Sequence, residues 1–399
     1  MRCEYRCLPL FLATTAALFA LITSAPGQTS PTASAAALFR AGDFAAAGRA
    51  YDAVLKSSPK DANALEGAAR VLLLENNFDR AIALAQQALA ADPANTAAQM
   101  TLRGAQQRKA AFAGEGYHYE ERPQSPISIP FVATDPLPIV QVTVDGHQVY
   151  FFIDTGASDF VVRSDLVKAL GLQTQSAGEG VFAGGKRAPI ERTTVPEIRI
   201  GSLTIKDVPA AVLGQSLQMG RFKTEGVVGT GFLMQFLSTL DYCQGRLVLR
   251  PRIDSAAVEK AAASAGANIV PMWLFADHFI LARAHLQSGA EHLYSIDTGM
   301  AGGGLGATKA ALDEAGIVVN PADAHTGIGG GGAVTFIPFR AGATLGSMTV
   351  DNVLGTYTPN GNQYGIFPFD VVGTLSHMFF RHSRVAFDFE AMRLITESC

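Results

Sequence analysis

The hydrophobic pattern of the chain changes once, near residue 114. From about Ser34 to Phe112 the sequence is rich in alanine, and its apolar residues recur at the 3.6-residue spacing of an amphipathic helix. After Gly114 the apolar residues form short runs rich in Val, Ile and Phe, separated by Asp-Gly, Gly-Gly and Asn-Gly turns. The first pattern predicts packed helices, and the second predicts mainly β structure from Ile127 to the end.

The helical part contains an internal repeat. Three landmarks return at one constant offset, with Phe44, Ala47 and Pro59 answered by Phe78, Ala81 and Pro93. This period, about 34 residues, resembles that of the tetratricopeptide repeat, whose small residues let paired helices pack closely. We expect helical repeats over residues 34–113, with a closing helix near Asn95 to Lys109. A stack this short serves as a docking surface for a protein partner, as a spacer, or as a packing partner of the next domain, and the sequence leaves these alternatives open.

The β part contains two copies of one pattern. The tetrapeptide Ile-Asp-Thr-Gly occurs at residues 153–156 and again at 296–299. Gly-Ser-Leu-Thr-Ile at 201–205 is answered by Gly-Ser-Met-Thr-Val at 346–350, and Val-Val-Gly-Thr at 227–230 returns unchanged at 371–374. Asp241 and Arg246 return as Asp388 and Arg393. Four landmarks in one order predict two related lobes, 123–252 and 267–399, joined by a polar, alanine-rich linker at 253–266.

Composition and charge exclude several partners. The 399 residues are 48% hydrophobic and 17% charged, which is typical of two or three globular units. The net charge is −4 and no cluster of Lys and Arg occurs, so a nucleic-acid partner is not expected. The eight histidines show no metal-ligand spacing, and we expect neither a metal nor another cofactor.

The segment 1–28 has the layout of a secretory leader. Arg2 and Arg6 precede an apolar run from Leu8 to Ala25, after which small and turn residues follow. The run is a signal peptide or an uncleaved anchor, and an uncleaved leader is the only membrane contact expected. Both alternatives predict an exported protein, periplasmic or secreted. Cys243 and Cys399 then remain in the mature chain, and the sequence leaves open whether they pair.

The two Asp-Thr-Gly motifs resemble those of the aspartic protease superfamily. Each lies at the end of an apolar strand and each is followed at nearly equal distance by Val-Val-Gly. The first copy is similar to the bacterial, retroviral-type enzymes, and two copies in one chain resemble the pepsin arrangement. The resemblance spans about residues 123–397 and implies a two-lobed acid-protease fold with pseudo-two-fold symmetry. It further implies an endopeptidase, active as a monomer, that takes a peptide or protein substrate.

The chemistry requires two carboxyls. Peptide hydrolysis without a metal or a covalent intermediate needs one carboxylate to take a proton from water while another acid hydrogen-bonds the scissile carbonyl, and two close carboxyls share one proton because both cannot ionise easily. Asp154 and Asp297 are therefore the candidate catalytic residues. From the resemblance, the expected supporting residues of the catalytic loops are Thr155, Gly156, Ser158, Gly229, Thr298, Gly299 and Gly373.

Two glycine-rich segments are candidates for flaps that close over the substrate. The first follows the first aspartate and includes Phe182, Gly184 and Gly185. The second includes Gly329 and Gly330, at a similar distance after the second aspartate. Retroviral-type enzymes use two flaps and pepsin-like enzymes one, so two segments favour the former. The alternative is that the four consecutive glycines of the second segment form a loose loop.

The second motif departs from the first in its surroundings. Ala157 and Ser158 follow the first Asp-Thr-Gly, whereas Met300 and a run of glycines follow the second. This difference leaves open a hypothesis from another class. A catalytically weak or inactive protease-fold protein would act as a peptide-binding or scaffold module of the cell envelope, through its helical repeats.

Overall fold

A computed structural model describes residues 30–359, 361 and 363–399. The leader predicted over residues 1–28 lies outside them. In the described part of the chain, no helix is long and apolar enough to cross a membrane.

Five consecutive helices form the N-terminal part, and each packs against the next. Ala47 and Ala81, which occupy equivalent positions of the repeat, are both fully buried, so the helices approach closely at alanine. The side chain of Asp43 caps one helix by accepting from the amide of Ala46, 3.1 Å away. The predicted helical repeat is confirmed. The helices are α1 Pro31–Arg40, α2 Phe44–Ser57, α3 Ala62–Leu74, α4 Phe78–Ala91 and α5 Thr96–Ala113.

The first lobe is mainly β. Its hairpin of β3 and β4 turns at Asp145 and Gly146, whose φ angles of 46° and 82° suit the two-residue turn that the sequence predicts. The strands are β1 His118–Tyr119, β2 Ile127–Ala133, β3 Ile139–Val144, β4 His147–Ile153, β5 Phe160–Val162, β6 Gln175–Phe182, β7 Lys186–Ile200, β8 Leu203–Val212, β9 Leu217–Met219, β10 Phe222–Val228, β11 Leu237–Asp241 and β12 Arg246–Arg250. Two short helices interrupt them, α6 Ser164–Ala169 and α7 Thr230–Leu233.

The second lobe repeats this architecture after the helix α8 Ser255–Ser264, which occupies most of the predicted linker. Its strands are β13 Asn268–Pro271, β14 Trp273–Phe275, β15 Phe279–Leu286, β16 His292–Ile296, β17 Leu305–Ala307, β18 His325–Gly329, β19 Gly332–Leu345, β20 Met348–Tyr357, β21 Val371–Leu375, β22 Ser383–Asp388 and β23 Arg393–Ser398. Its other helices are α9 Lys309–Glu314 and α10 His377–Phe380.

The pairing of strands shows that the lobes are related. In the first, β10 runs parallel to β4 and antiparallel to β5, and in the second β21 has the same relation to β16 and β17. One sheet joins the lobes, because β11 of the first pairs with β22 of the second. A disulfide between Cys243 and Cys399 crosses the same boundary. A mainly β, two-lobed acid-protease fold, as predicted, follows the helical repeats.

The backbone corrects the alignment of the two copies at the third landmark. The amide of Asp154 donates to the carbonyl of Val228 at 3.1 Å, and the amide of Asp297 donates to Leu375 at 3.0 Å. Leu375, rather than Val372, is therefore the counterpart of Val228. The stretch from aspartate to acceptor is slightly longer in lobe 2 than in lobe 1. The additional residues fall in the glycine run after the second motif and in the segment before β21.

The predicted role of Gly373 is consequently wrong. The residue after the acceptor is Gly229 in lobe 1 but Ser376 in lobe 2, and Gly373 lies earlier in the chain, inside β21. There it pairs with Tyr294, and a Cβ at this position would overlap the tyrosine ring. Its counterpart in lobe 1 is Gly226, which leaves room for an aromatic ring in the same way.

The helical repeat packs directly on the second lobe. The ring of Phe44 lies 5.4 Å from that of Trp273 and 4.9 Å from that of Phe369. Polar contacts surround this apolar patch, among them the side-chain amide of Asn76, which donates to the carbonyl of Phe389 at 3.1 Å. Packing against the next domain, one of the three alternatives for the repeat, is thus present in the structure.

Candidate active site

The two candidate catalytic aspartates begin equivalent loops. Each follows the last residue of a central strand, β4 or β16, and each carboxyl accepts a hydrogen bond from the glycine of its own motif. Gly156 donates to Oδ1 of Asp154 at 2.8 Å, and Gly299 donates to Oδ1 of Asp297 at 2.9 Å. These bonds hold both carboxyls in a fixed orientation.

The glycines also admit the carboxyl of the opposite lobe. A Cβ on Gly156 would lie 2.6 Å from Cγ of Asp297, and a Cβ on Gly299 would overlap the carboxyl of Asp154. Real Cβ atoms do not approach other heavy atoms so closely, so only glycine fits at either position. The structure thus brings Asp154 and Asp297 together, each against the other's loop.

Two threonines tie the loops across the boundary between lobes. The hydroxyl of Thr155 donates to the carbonyl of Ile296 at 2.9 Å and accepts from the amide of Thr298 at 3.0 Å. The hydroxyl of Thr298 donates to Ile153 at 3.2 Å and accepts from the amide of Thr155 at 3.1 Å. Both threonines are fully buried, so this symmetric set of four bonds is protected from water.

Burial and the nearby Asp297 perturb the acidity of Asp154. The pKa of Asp154 lies well above its usual range, first because the carboxyl is buried and then because Asp297 is close and hydrogen-bonded to it. The amide of Gly156 and the positive charge of Arg163 act in the opposite direction. The site therefore retains a proton at a pH where an exposed aspartate would have lost it.

A second perturbed carboxyl lies in the first loop, and the sequence analysis missed it. Burial raises the pKa of Asp159 to about 6, although the hydroxyl of Tyr117 and the amide of Phe160 both donate to it. Tyr117 belongs to the segment between α5 and β1, far from the motif in sequence. The only local signal was an acidic residue shortly after Asp154.

The predicted flap residues lie at the tips of two hairpins. Phe182 ends β6, and Gly184 and Gly185 form the turn to β7, both with φ of 72°. Gly329 ends β18, and Gly330 starts the turn to β19.

The two tips meet. A Cβ on Gly330 would lie 2.5 Å from the ring of Phe182, and a Cβ on Gly184 would lie 2.8 Å from the side chain of Val334 on the other hairpin. The glycine run of lobe 2 is therefore packed against the first flap, and the alternative of a loose loop is wrong.

Ser158 and Gly229, two supporting residues of lobe 1, lie where the loop after Asp154 meets the segment at the start of α7. The carbonyl of Ser158 accepts from the amide of Gly231 at 2.8 Å. Within the described residues, no hydrogen bond joins the hydroxyl of Ser158 to either aspartate. Gly229 lies so near the carbonyl of Asp159 that a Cβ would overlap it.

The corresponding segment of lobe 2 starts with Ser376 and His377. His377 is fully buried, and burial lowers its pKa to about 4, against the opposing influence of Asp135 and of the carbonyl of Pro136. Pro136 also accepts from the amide of Gly302 at 3.2 Å, so the loop at residues 135–136 of lobe 1 reaches across to lobe 2. In the part of the chain that the structure describes, no group of His, Cys, Asp or Glu could hold a metal ion.

Comparisons with known proteins agree with this architecture. Residues 140–232 match the family described as aspartyl protease, and residues 32–96 match the tetratricopeptide repeat. No curated protein matches the chain.

Several solved structures are similar to parts of the chain. A retropepsin-like aspartic protease from Rickettsia conorii is 20% identical over 33% of this chain and 93% of its own, with a TM-score of 0.25. Basic 7S globulin from soybean is 9% identical over 69% of this chain and 96% of its own, with a TM-score of 0.40. Conglutin gamma from lupine seeds is 8% identical with the same coverage and TM-score. The chain combines tetratricopeptide-type helices with an aspartyl-protease-like fold.

Proposed function

We propose that the protein is an aspartic endopeptidase in which Asp154 and Asp297 share one proton and activate a water molecule. The observation that carries this proposal is the reciprocal approach of each carboxyl to the opposite glycine, as expected of two aspartates that face each other in one site. The raised pKa of Asp154 supports a pair of carboxyls that holds one proton before substrate binds.

In the proposed reaction, the ionised carboxyl takes a proton from water as the water oxygen bonds to the scissile carbonyl carbon. The protonated carboxyl hydrogen-bonds the carbonyl oxygen and stabilises the negative charge that develops there. The C–N bond then breaks as the leaving nitrogen takes the proton that the first carboxyl removed from water, and the pair again holds one proton. The glycine amides and the threonine bonds hold both carboxyls in place during these steps.

The proposed substrate is an extended peptide bound beneath the flaps, where strand-like hydrogen bonds give affinity and side-chain pockets give specificity. Both aspartates come from one chain, which supports activity as a monomer. The disulfide between Cys243 and Cys399 supports the proposal that the protein is exported, because such bonds persist in oxidising compartments.

A cleavage assay tests the proposal. We expect the wild-type protein to cleave a mixed peptide library between pH 3 and 8, and Asp154→Asn and Asp297→Asn each to lower the rate by at least about a thousandfold. Asp145→Asn is the matched control, since this exposed turn residue has a positive φ that asparagine tolerates. Failure of the wild type to cleave any peptide would refute the proposal. Loss of activity in only one of the two variants would refute the shared dyad.

A peptide-binding module without hydrolysis is the second candidate. The observation that favours it is the altered surroundings of Asp297, where Met300 and Ser376 replace the smaller residues of lobe 1. In the same assay, this function predicts that the wild type retains peptides from the library on a column and releases them uncut. Retention and cleavage are measured on the same sample, so the two candidates give different results.

A further inference from the structure

Residues 363–370 form the segment that leads into β21, and we call this segment the strap. It begins with the turn Gln363–Ile366 and ends at Asp370, beside β21. Within this short stretch the strap contacts three separate parts of the molecule. These are the flap tip of lobe 1, the strands β16 and β21 next to Asp297, and the helical repeat.

The first contact fixes the flap tip. The amide of Gly184 donates to the side-chain oxygen of Gln363 at 3.0 Å. Strand pairing in this hairpin ends at Phe182 and Lys186, so the amide of Gly184 lies beyond the ladder. Gln363 therefore supplies a partner that the hairpin itself does not provide.

The second contact reaches the strands β21 and β16 next to Asp297. The hydroxyls of Tyr364 and Thr374 hydrogen-bond at 3.0 Å, and Thr374 in turn contacts the hydroxyl of Ser295 at 2.8 Å. Ser295 lies shortly before Asp297, on the strand that leads into it. Burial, with a contribution from the nearby charge of Asp297, raises the pKa of Tyr364 to about 12.

The third contact anchors the strap to the helical repeat. The ring of Phe369 lies 4.9 Å from Phe44 and 5.8 Å from Phe39, and its side chain is buried. The amide of Asp370 donates to the carbonyl of Arg40 at 2.7 Å, at the end of α1. The strap is thus held by α1 and α2 at one end and holds the flap at the other.

We propose that the strap keeps the flap of lobe 1 in its closed position and makes that position depend on the helical repeat. Its consequence for catalysis rests on the proposed function, because a peptide enters only after the flap opens and the bond between Gly184 and Gln363 breaks. A partner that binds the repeat and shifts α1 would move Phe369, and with it Gln363. The repeat then controls access to the cleft.

Hydrogen exchange followed by mass spectrometry tests the flap contact directly, without a substrate. We expect Gln363→Ala to accelerate exchange in residues 181–187 by about two- to tenfold, the range for loss of one hydrogen bond. Gln363→Glu keeps an acceptor and should exchange at the wild-type rate. Gln215→Ala is the matched control, since the exposed Gln215 bonds to Ser164, on the opposite lobe from the strap. Unchanged exchange in Gln363→Ala would overturn the proposal.

A second pair of variants tests the dependence on the repeat. Phe39 packs against Phe369, in the strap, so the proposal predicts faster flap exchange in Phe39→Ala. Phe78→Ala is the control, because Phe78 packs against Phe112 at 5.5 Å instead. Phe39→Leu provides a milder change in case the alanine variant unfolds the repeat. Flap exchange that responds to neither Phe39 variant would refute control by the repeat.

These experiments separate the two proposals. Exchange rates report the flap whether or not the protein cleaves peptides. A chain that shows the expected exchange changes and cleaves nothing would refute the endopeptidase and support the strap. Cleavage with unchanged exchange would do the opposite.

Discussion

The threonine pair at the lobe boundary gives the sharpest quantitative prediction. Thr298→Val keeps the shape of the side chain and removes its hydroxyl. Two groups then lose their partner, the amide of Thr155 and the carbonyl of Ile153. Thr298 is 0% exposed, so water does not replace the lost bonds without a rearrangement of the loops.

The expected cost follows from these two groups. Each buried polar group left without a partner costs about 1 to 3 kcal/mol, so the free energy of unfolding should fall by about 2 to 6 kcal/mol. Domains are stable by about 5 to 15 kcal/mol, and the loss is therefore a large fraction of the total. Because the four bonds are symmetric, Thr155→Val should cost the same within about 1 kcal/mol.

Urea unfolding of purified protein measures this cost, and Thr298→Ser, which keeps the hydroxyl, should lie near the wild type. Thr344→Val is the matched control, since the bond of Thr344 to Thr349 is exposed to solvent and its loss should change stability by less than about 0.5 kcal/mol. If Thr298→Val costs no more than Thr344→Val, the threonines do not hold the lobes together and the reasoning is wrong.

Three further predictions concern other parts of the molecule. Burial lowers the pKa of His377 to about 4, so below about pH 6.5 the unfolded chain binds a proton that the folded chain excludes. The wild type should therefore lose about 2 kcal/mol of stability between pH 7 and pH 5, and His377→Phe should not show this loss. Urea titration at each pH measures the difference. Gly299→Ala should lower kcat at least about a hundredfold, because its Cβ displaces the opposite carboxyl, whereas Gly104→Ala, whose Cβ makes only an ordinary contact with Leu73, should leave kcat unchanged. Cys399→Ser removes the disulfide and should lower stability by about 2 to 5 kcal/mol, a difference that disappears when the wild type is measured in reductant.

Much of the fold could be predicted from sequence because its determinants are repeated. The helical unit and the Asp-Thr-Gly motif each occur twice, and chance does not produce matched landmarks in one order. The close approach at Gly156 and Gly299 follows from the same motif. These features are local, since a strand end, a tight loop and an apolar period can be read within a short window.

The contacts that the sequence analysis missed join positions far apart in the chain. Tyr117 meets Asp159 across 42 residues, and Gly184 meets Gln363 across 179. Neither pair belongs to a repeated pattern, and a tyrosine or glutamine in a loop carries no signal of its partner. The packing of Trp273 against the helical repeat is of the same kind, because both surfaces are apolar and the sequence does not say which surfaces meet.

The misplaced landmark has a different cause. Val-Val-Gly-Thr at residues 371–374 is identical to residues 227–230, yet it is not at the equivalent position. The position is defined by the carbonyl that accepts the aspartate amide, and Val228 and Leu375 perform this role with different residues after them. The identical tetrapeptide led to a wrong alignment because lobe 2 has additional residues between the aspartate and the acceptor. These residues place the equivalent of Val228 further along the chain than Val372.

In each lobe the loop after the Asp-Thr-Gly motif passes close to the segment around the next short helix, α7 or α10, and a glycine makes this approach possible. The glycine lies on a different one of these two segments in each lobe. In lobe 1 the glycine lies in the segment before α7, where a Cβ on Gly229 would overlap the carbonyl of Asp159 in the loop after the motif. In lobe 2 the glycine lies in that loop instead, where a Cβ on Gly304 would lie 2.8 Å from the amide nitrogen of Phe379 in α10. Ser376 then fits where lobe 1 needs glycine, and its amide donates to the carbonyl of Gly304 at 2.9 Å. Packing therefore explains Gly304, and this glycine after the second motif is not by itself a sign that lobe 2 has lost its catalytic geometry.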